Sequence, residues 1–227
     1  MEVFKADNVH EAVTLAKRFR QLGRYDWFRG QNREWELISS FLRLDEPNQD
    51  KAIERMRRFM NWLQITPALK HLLQNRDAAF AVAQHYGFPT NYIDFTVDPK
   101  VAAFFATDSK SDNDDACILC LSIPDLKAFW KDIPHQDQYP PPDFIDIDVS
   151  NLWRLQAQKG KFLFCPYPHF ENFYDLDRIL FKCWQPVSVL ARADVYPPRK
   201  SQLELLLDHY FDNERREHIN CEIENML

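Results

Sequence analysis

Apolar side chains recur every three or four residues in several stretches of the chain, a spacing that places them on one face of a helix. The first stretch follows Asn8, a residue type that caps helices, and it ends at Gly23. A later stretch stops at Gly87, and Asp98 caps the next one. The predicted helices cover approximately residues 9–22, 53–63, 67–86, 99–107 and 201–219.

Shorter apolar runs, bounded by polar or turn-forming residues, predict β-strands. The first is YDWFRGQ, a strand that we expect to enter a turn at Gly30. Further strands are predicted near residues 116–123, 144–147, 159–164, 178–184 and 187–195. We expect an α+β fold: a single domain with a mixed, mostly antiparallel sheet flanked by helices. The expected division is an N-terminal helix over 1–24, a central region over 25–200, and a C-terminal helical extension over 201–227 packed on the same core.

Composition excludes several classes of protein. The 28 basic and 34 acidic side chains give a net charge of −6, which disfavours broad contact with duplex nucleic acid. No apolar run is long enough to cross a membrane and no secretory signal opens the chain, so we expect a cytoplasmic protein. Cys117 and Cys120 lie three apart on a predicted strand and should face opposite sides, so no metal is expected.

Glycine is scarce, with only 4 residues in the chain, so each position is informative. Gly23 ends a helix, whereas Gly30, Gly87 and Gly160 stand in polar segments where a turn could present neighbouring side chains. Three ordinary turns are the alternative. The same scarcity excludes glycine-rich dinucleotide and phosphate loops and the hydrolase nucleophile elbow.

Three segments together resemble the FRG domain, a family named for a Phe-Arg-Gly signature. They are WFRGQ, AVAQHYGFPTNYIDFTVDPKVAAFFA and RLQAQKGKFLF. The positions that match the family pattern are Phe28, Arg29, Gly30, Gln84, His85, Tyr86, Gly87, Pro89, Thr90, Asp94, Thr96, Arg154, Gln158, Gly160 and Phe162.

The resemblance covers about residues 26–199, so the central region over 25–200 is expected to be the FRG domain. Asn91 replaces a basic residue of the family pattern, Tyr92 and Ile93 replace a Leu pair, and a terminal Pro-Asp-Leu element is missing. FRG domains are catalogued chiefly as bacterial and phage-associated domains. The resemblance therefore implies a setting in phage defence or a toxin system, without assigning a chemistry.

Individual residues indicate the chemistry. Arg29 stands among aromatic residues, where its five donors need a phosphate, a carboxylate or, alternatively, a structural partner such as Asp94 or a loop carbonyl. His85 ends a helix, whose dipole should raise the pKa of the imidazole; a simple helix cap is the alternative. Asp94 and Thr96 share one face of an extended segment, unless they form a turn that caps the helix at Asp98.

Gln156 and Gln158 precede Gly160, and if that segment is helical only one of the two can reach a shared site. The order of these groups resembles that of ADP-ribosyltransferases, which bind NAD without a Rossmann glycine loop. The resemblance makes an ADP-ribosyltransferase-like fold an option. Gln158 stands where such enzymes carry a catalytic Glu, so either Asp94 supplies the negative charge, or the activity differs, or there is none.

We therefore expect a pocket for a nucleotide-like molecule, with NAD as the candidate cosubstrate and a protein, a nucleic acid or water as acceptor. The expected activity is NAD cleavage or ADP-ribosyl transfer; the alternatives are a non-catalytic nucleotide- or phosphate-recognition module and a hydrolase using His85 and Asp94. The predicted catalytic residues are Arg29, His85, Asp94, Thr96 and Gln158. The predicted ligand-binding residues are Phe28, Gly30, Gln31, Gln84, Tyr86, Thr90 and Arg154.

Overall fold

The structure is a computed structural model of the 227-residue chain. It describes residues 1–108, 115–133, 141–147, 150–182 and 189–224, with side chains described up to residue 216 in the last range. Residues 225–227 of the expected C-terminal extension, and 183–188 of two expected strands, lie outside the described residues.

A seven-stranded sheet forms the centre of the described fold, in the order β1-β7-β4-β2-β3-β6-β5. Its first strand pairs in parallel with β7, and every other neighbouring pair is antiparallel. The strands are β1 (Val3–Ala6), β2 (Trp27–Gln31), β3 (Tyr92–Thr96), β4 (Asp115–Leu121), β5 (Asp143–Ile145), β6 (Gly160–Phe164) and β7 (Asp177–Lys182). The expected α+β single domain with a mixed, mostly antiparallel sheet is confirmed.

Helices lie against both faces of this sheet, and several begin at the capping residues that the sequence offers. Asn8, Asp98 and Ser122 each accept backbone N–H groups of the helix that follows. The α-helices are α1 (Val9–Gln21), α2 (Glu46–Ile65), α3 (Arg76–His85), α4 (Pro99–Thr107), α5 (Ile123–Lys131), α6 (Trp153–Gln158), α7 (Arg192–Val195) and α8 (Gln202–Glu224). Two 3₁₀ helices cover Pro67–Gln74 and Phe170–Asn172.

The buried apolar residues form three clusters. One lies on the sheet face that α5 covers and includes Cys117, Ile93 and Phe95. The other two share the opposite face: α1 and α4 pack over β2, β4 and β7, while α2, α3 and α8 pack near β3 and β6. Cys117 and Cys120 belong to clusters on opposite faces, as the strand spacing predicts.

Several local predictions are wrong. Gly30 is not in a turn, because β2 continues through it to Gln31. Helix α4 packs so closely that position 30 must be glycine, because a Cβ built there would lie 1.7 Å from the carbonyl oxygen of Ala102. The expected strand over 187–195 is incorrect for its last residues, since Arg192–Val195 is helical. Strand β1 and helix α5 were not predicted.

The sheet is split between β2 and β3. These neighbours share a single registered pair, Phe28 with Thr96, whereas β2 and β4 share five. If the β2–β3 ladder continued, Gly30 would stand opposite Asp94. Instead the strands diverge beyond Phe28, and this divergence opens a gap in the middle of the sheet.

Candidate functional site

A cavity of about 680 Å³ occupies the gap between β2 and β3. Its volume lies in the range of roughly 300–1,000 Å³ that is usual for small-molecule sites. The loop after β2, the end of α3, and parts of α4, α6 and β6 complete its walls. The residues that line it include Phe28, Arg29, Gly30, Gln31, Trp35, Glu36, Arg43, Gln84, His85, Asp94, Thr96, Phe105, Arg154, Gln158 and Lys161.

Arg29 is the cation at the split. Its Nη1 donates a 2.8 Å hydrogen bond to the backbone carbonyl of Asp94, and thereby replaces one bond that the interrupted β2–β3 ladder lacks. The same nitrogen lies 3.9 Å from Oδ2 of Asp94, and only 22% of the Arg29 side chain is exposed. Burial lowers the pKa of the guanidinium, while the charge of Asp94 opposes that change.

The Nε of Arg29 is buried and has no hydrogen-bond partner within the described residues. A buried guanidinium N–H without a partner costs stability, because the group has lost its hydration and gained nothing in exchange. The structural alternative foreseen for Arg29 is therefore realised, because Nη1 bonds the backbone carbonyl of Asp94 and lies near its carboxylate. Binding of a phosphate or another anion by Arg29 stays a prediction.

Gln84 fixes the orientation of the Asp94 carboxylate by a hydrogen bond to one of its oxygens. The Gln84 side-chain amide donates a 2.7 Å bond to Oδ1 of Asp94, while 61% of the Asp94 side chain is exposed. Strand β3 sets this direction, because its alternation buries Ile93 and Phe95 in the cluster beneath the sheet. Oδ2 of Asp94 is thus the carboxylate oxygen on the Arg29 side.

Thr90 fixes which way the Gln84 amide faces. Its hydroxyl oxygen accepts the N–H of Tyr92 and its hydroxyl hydrogen is donated to Oε1 of Gln84. A reversed amide would turn Oε1 toward the Asp94 carboxylate, two acceptors facing each other, so this network selects one orientation. Thr90 itself is buried and does not line the cavity.

His85 lines the cavity at the end of α3, but the expected rise of its pKa is wrong. Burial lowers the pKa of the imidazole to about 3, and the nearby positive charge of Arg154 acts in the same direction. Desolvation therefore outweighs the helix dipole. No side-chain hydrogen bond of His85 occurs among the described residues, so the ring faces the cavity as a neutral donor and acceptor.

Thr96 and Gln158 line the cavity but are bound to the protein. The Thr96 hydroxyl donates to the carbonyl of Gln158 at 2.8 Å and accepts the N–H of Asp98, so it forms the helix-capping turn that was the alternative for this residue. The Gln158 side chain donates to the carbonyl of Val195 at 3.3 Å. Because 153–158 is helical, Gln158 reaches the cavity and Gln156 does not line it.

Tyr86 does not line the cavity. Its ring stacks on Phe211 of α8 with centroids 4.4 Å apart, and its hydroxyl donates to the carbonyl of Glu204 at 3.2 Å. The stacking role expected for Tyr86 on a ligand is incompatible with this packing, which instead joins α3 to the C-terminal helix.

The remaining predicted residues lie in the cavity wall. Phe28 is fully buried beneath it, and Gly30 allows the close approach of α4. The Gln31 side chain accepts a 3.5 Å contact from the thiol of Cys117. Arg154 is exposed, and its guanidinium lies 4.6 Å from the ring of Tyr196.

The polar and aromatic residues of the wall that sequence reasoning missed include four in particular: Trp35, Glu36, Arg43 and Lys161. Two of them already have protein partners, since Arg43 donates to the carbonyl of Ile38 at 2.7 Å and Lys161 pairs with Asp146. Glu36 lies 3.2 Å from His169. Their position in the sequence could have indicated them, because three of the four lie in the irregular loop over 32–45 that follows the Phe-Arg-Gly strand.

Two other kinds of site were sought in the described part of the chain. No group of three or more His, Cys, Asp or Glu side chains there is arranged to hold a metal ion. Nor does any described helix combine the length and the apolar character needed to span a membrane.

The described fold is an α+β domain with a cavity at a split in its sheet. Comparison with family models matches the FRG domain over residues 24–115, so this part of the chain is similar to that domain. The match contains β2, β3 and the helices between them, and therefore Arg29, His85 and Asp94. The resemblance around Arg154 and Gln158 lies beyond it. No curated protein and no solved structure matches the chain.

Proposed function

We propose that this FRG-domain protein binds NAD in the split between β2 and β3 and cleaves its nicotinamide–ribose bond, passing the ADP-ribosyl group to an acceptor or to water. The observation that carries the proposal is the pairing of Arg29 and Asp94 in one cavity. The Arg29 guanidinium and the exposed, oriented carboxylate of Asp94 line the same cavity, with Nη1 and Oδ2 3.9 Å apart.

The lining residues suit such a dinucleotide. Arg29 supplies donors for a diphosphate, and a guanidinium binds phosphate oxygens in a fixed, fork-like geometry. Arg154 and Arg43 add positive charge to the same walls, whereas Asp94 and Glu36 supply negative charge. A dinucleotide that carries anionic phosphates and a cationic ring requires both signs within one cavity.

NAD supplies a pyridinium leaving group, so bond cleavage returns an electron pair to the ring nitrogen and places positive charge on the ribose. Asp94 would stabilise that charge through Oδ2, because Gln84 already occupies Oδ1 and fixes the plane of the carboxylate. His85 is a poor proton acceptor with its lowered pKa, so its role would be to hydrogen-bond a sugar hydroxyl as a neutral ring.

One observation favours a second candidate, a module that recognises a nucleotide without chemistry. Thr96 and Gln158, both expected to act in catalysis, make structural hydrogen bonds within the fold. With these two side chains occupied, Asp94 alone of the expected catalytic residues would be left to stabilise positive charge on the ribose. The same cavity with the same Arg29 would bind a nucleotide and release it unchanged.

Nicotinamide release from NAD, measured by chromatography beside calorimetric binding of NAD, separates the two. We expect turnover by the wild-type protein, and loss of turnover in Asp94→Asn while NAD binding stays measurable. Arg29→Ala should weaken binding by more than tenfold, and Arg29→Lys should restore it only in part, because lysine lacks the forked donors. Arg57→Ala is the matched control, since Arg57 makes only an exposed pair with Glu54.

Saturable binding that needs Arg29 but leaves NAD intact would select the recognition module. Absence of NAD binding by a folded wild-type protein would reject both forms of the proposal.

A further inference from the structure

Trp35 is an exposed aromatic surface at the mouth of the cavity. It lines the cavity although 48% of the residue is exposed, whereas Arg29 lies deeper with 22% of its side chain exposed. The indole N–H donates a 2.8 Å bond to Oδ1 of Asn32, which holds the ring in a defined orientation. An exposed, fixed indole provides a stacking surface for a planar ring.

One face of this indole already carries a cation. The guanidinium of Arg33 lies 3.4 Å from the ring centroid, and Arg33 is not among the residues that line the cavity. Arg33 therefore covers one face of the indole, and the opposite face is the one left for a ligand ring. A cation bound to one face withdraws electron density from the ring, so a second cation on the other face is disfavoured and a neutral ring is accepted.

Asp94, in contrast, favours a positively charged group over a neutral one. Its carboxylate is 61% exposed, and its Oδ2 is not used by Gln84. A positively charged ring or sugar is attracted to this carboxylate and is repelled from the Trp35 end, where the guanidinium of Arg33 covers one face of the indole.

We infer that the site binds its dinucleotide in one direction, with the neutral adenine stacked on Trp35 at the mouth, the diphosphate at Arg29 and the nicotinamide end at Asp94. This inference rests on the proposed function, and it adds an adenine subsite and a polarity. Trp35 is a specificity-determining residue for the adenine half and has no role in the nicotinamide half.

The two halves can be tested separately, with ADP and nicotinamide mononucleotide as probes in calorimetric titrations. Trp35→Ala should weaken ADP binding by about tenfold, since stacking of a base on an aromatic side chain contributes roughly that factor or more. It should leave the affinity for nicotinamide mononucleotide within about twofold. Asp94→Asn should do the reverse, and Trp35→Phe should retain most of the ADP affinity.

The possible outcomes distinguish failure of the orientation from failure of the proposed function. If Trp35→Ala weakens both probes equally, or neither, while the wild-type protein binds both, the orientation is wrong and the proposed function stands. If the mononucleotide depends on Trp35 and ADP on Asp94, the dinucleotide lies in the reverse direction and the inference is overturned. If the folded wild-type protein binds neither probe, the proposed function fails together with the orientation.

Discussion

The side-chain amide of Gln84 donates a 2.7 Å hydrogen bond to Oδ1 of Asp94, and this bond joins the end of α3 to the middle of β3 beside the split in the sheet. Thr90 determines the direction of the amide, and Ser40 in turn accepts the N–H of Thr90 at 3.1 Å. The loop after β2, the turn after α3 and the cavity carboxylate are therefore connected by one continuous chain of hydrogen bonds. Its orientation depends on the Thr90 hydroxyl, which does not line the cavity.

Replacing Thr90 by Val keeps the shape of the side chain and removes the hydroxyl. The N–H of Tyr92 and Oε1 of Gln84 would both lose a partner in a buried setting. We expect a loss of about 1–3 kcal/mol in the free energy of unfolding, measured by urea denaturation. We also expect a lower kcat for NAD cleavage with little change in KM, because the Gln84 amide can then turn away from Asp94.

Thr90→Ser is the matched control, since it restores the hydroxyl and should recover the kcat. Gln84→Leu should reproduce the kcat defect of Thr90→Val without adding to it in the double variant, because both remove the same support of Asp94. Additive losses in kcat would mean that the two residues act separately and that no relay exists.

Gly30 should tolerate no side chain. A Cβ at this position meets the Ala102 carbonyl oxygen at 1.7 Å and the Ala106 N at 2.8 Å, and both are backbone atoms of α4 that cannot move alone. Gly30→Ala should therefore cost more than about 3 kcal/mol of unfolding free energy, the upper end for ordinary overpacking, or prevent soluble expression.

Gly23→Ala is the control for that substitution. Gly23 has a positive φ of 68° but nothing within 4 Å of an added Cβ, so only backbone strain of about 1–2 kcal/mol is expected. Urea denaturation of both variants gives the comparison. A Gly30→Ala protein as stable as Gly23→Ala would show that α4 does not press on β2 as described.

The two glycines also show what the sequence could and could not predict. Gly23 was correctly placed at a helix end, because capping depends on neighbours in the chain. Gly30 was wrongly placed in a turn. A glycine can be needed either for a positive φ or for the close approach of another backbone, and only the position of α4 shows that the second reason applies at Gly30. Most helices and strands followed from local periodicity in the same way, whereas the split between β2 and β3 depends on pairing between distant segments.

The same distinction applies to the site. Arg29, His85 and Asp94 could be grouped because one family resemblance includes them, and all three line the cavity. Trp35 was overlooked as a ligand contact, since a loop residue carries no periodic signal. Tyr86 was assigned to the ligand because its partner, Phe211, lies 125 positions further along the chain, and no local pattern reveals that stacking.

Tyr86 should matter for stability and not for ligand binding. Tyr86→Ala removes a partly buried ring stacked on Phe211 and should cost about 3 kcal/mol, the lower end of the range for deleting a core aromatic. Tyr86→Phe keeps the ring, removes the hydroxyl that bonds the Glu204 carbonyl and contacts Asp208, and should cost about 1 kcal/mol, with NAD affinity unchanged. Thermal denaturation and calorimetry measure the two quantities. A large loss of NAD affinity in a stable Tyr86→Phe protein would instead show that Tyr86 contributes to ligand binding.

The lowered pKa of His85 predicts a pH dependence of stability. In the folded protein this imidazole stays neutral down to about pH 3, whereas in the unfolded chain it binds a proton below its ordinary value near 6.5. The unfolded state therefore binds more protons between these values, and the stability present above pH 6.5 is lost as the pH falls through this window. One such group contributes a slope of up to about 1.4 kcal/mol per pH unit.

Carboxylates also titrate in that window, so the informative quantity is the difference between wild type and His85→Gln. Urea unfolding at pH 7.5, 6.0 and 5.0 should show a steeper loss of stability in the wild type, because glutamine can hydrogen-bond in the cavity but binds no proton in either state. Equal slopes would mean that His85 is protonated in the folded protein. A charged imidazole beside Arg154 would then point to a bound anion between them, and His85 would join Arg29 as a phosphate contact instead of a neutral contact to sugar.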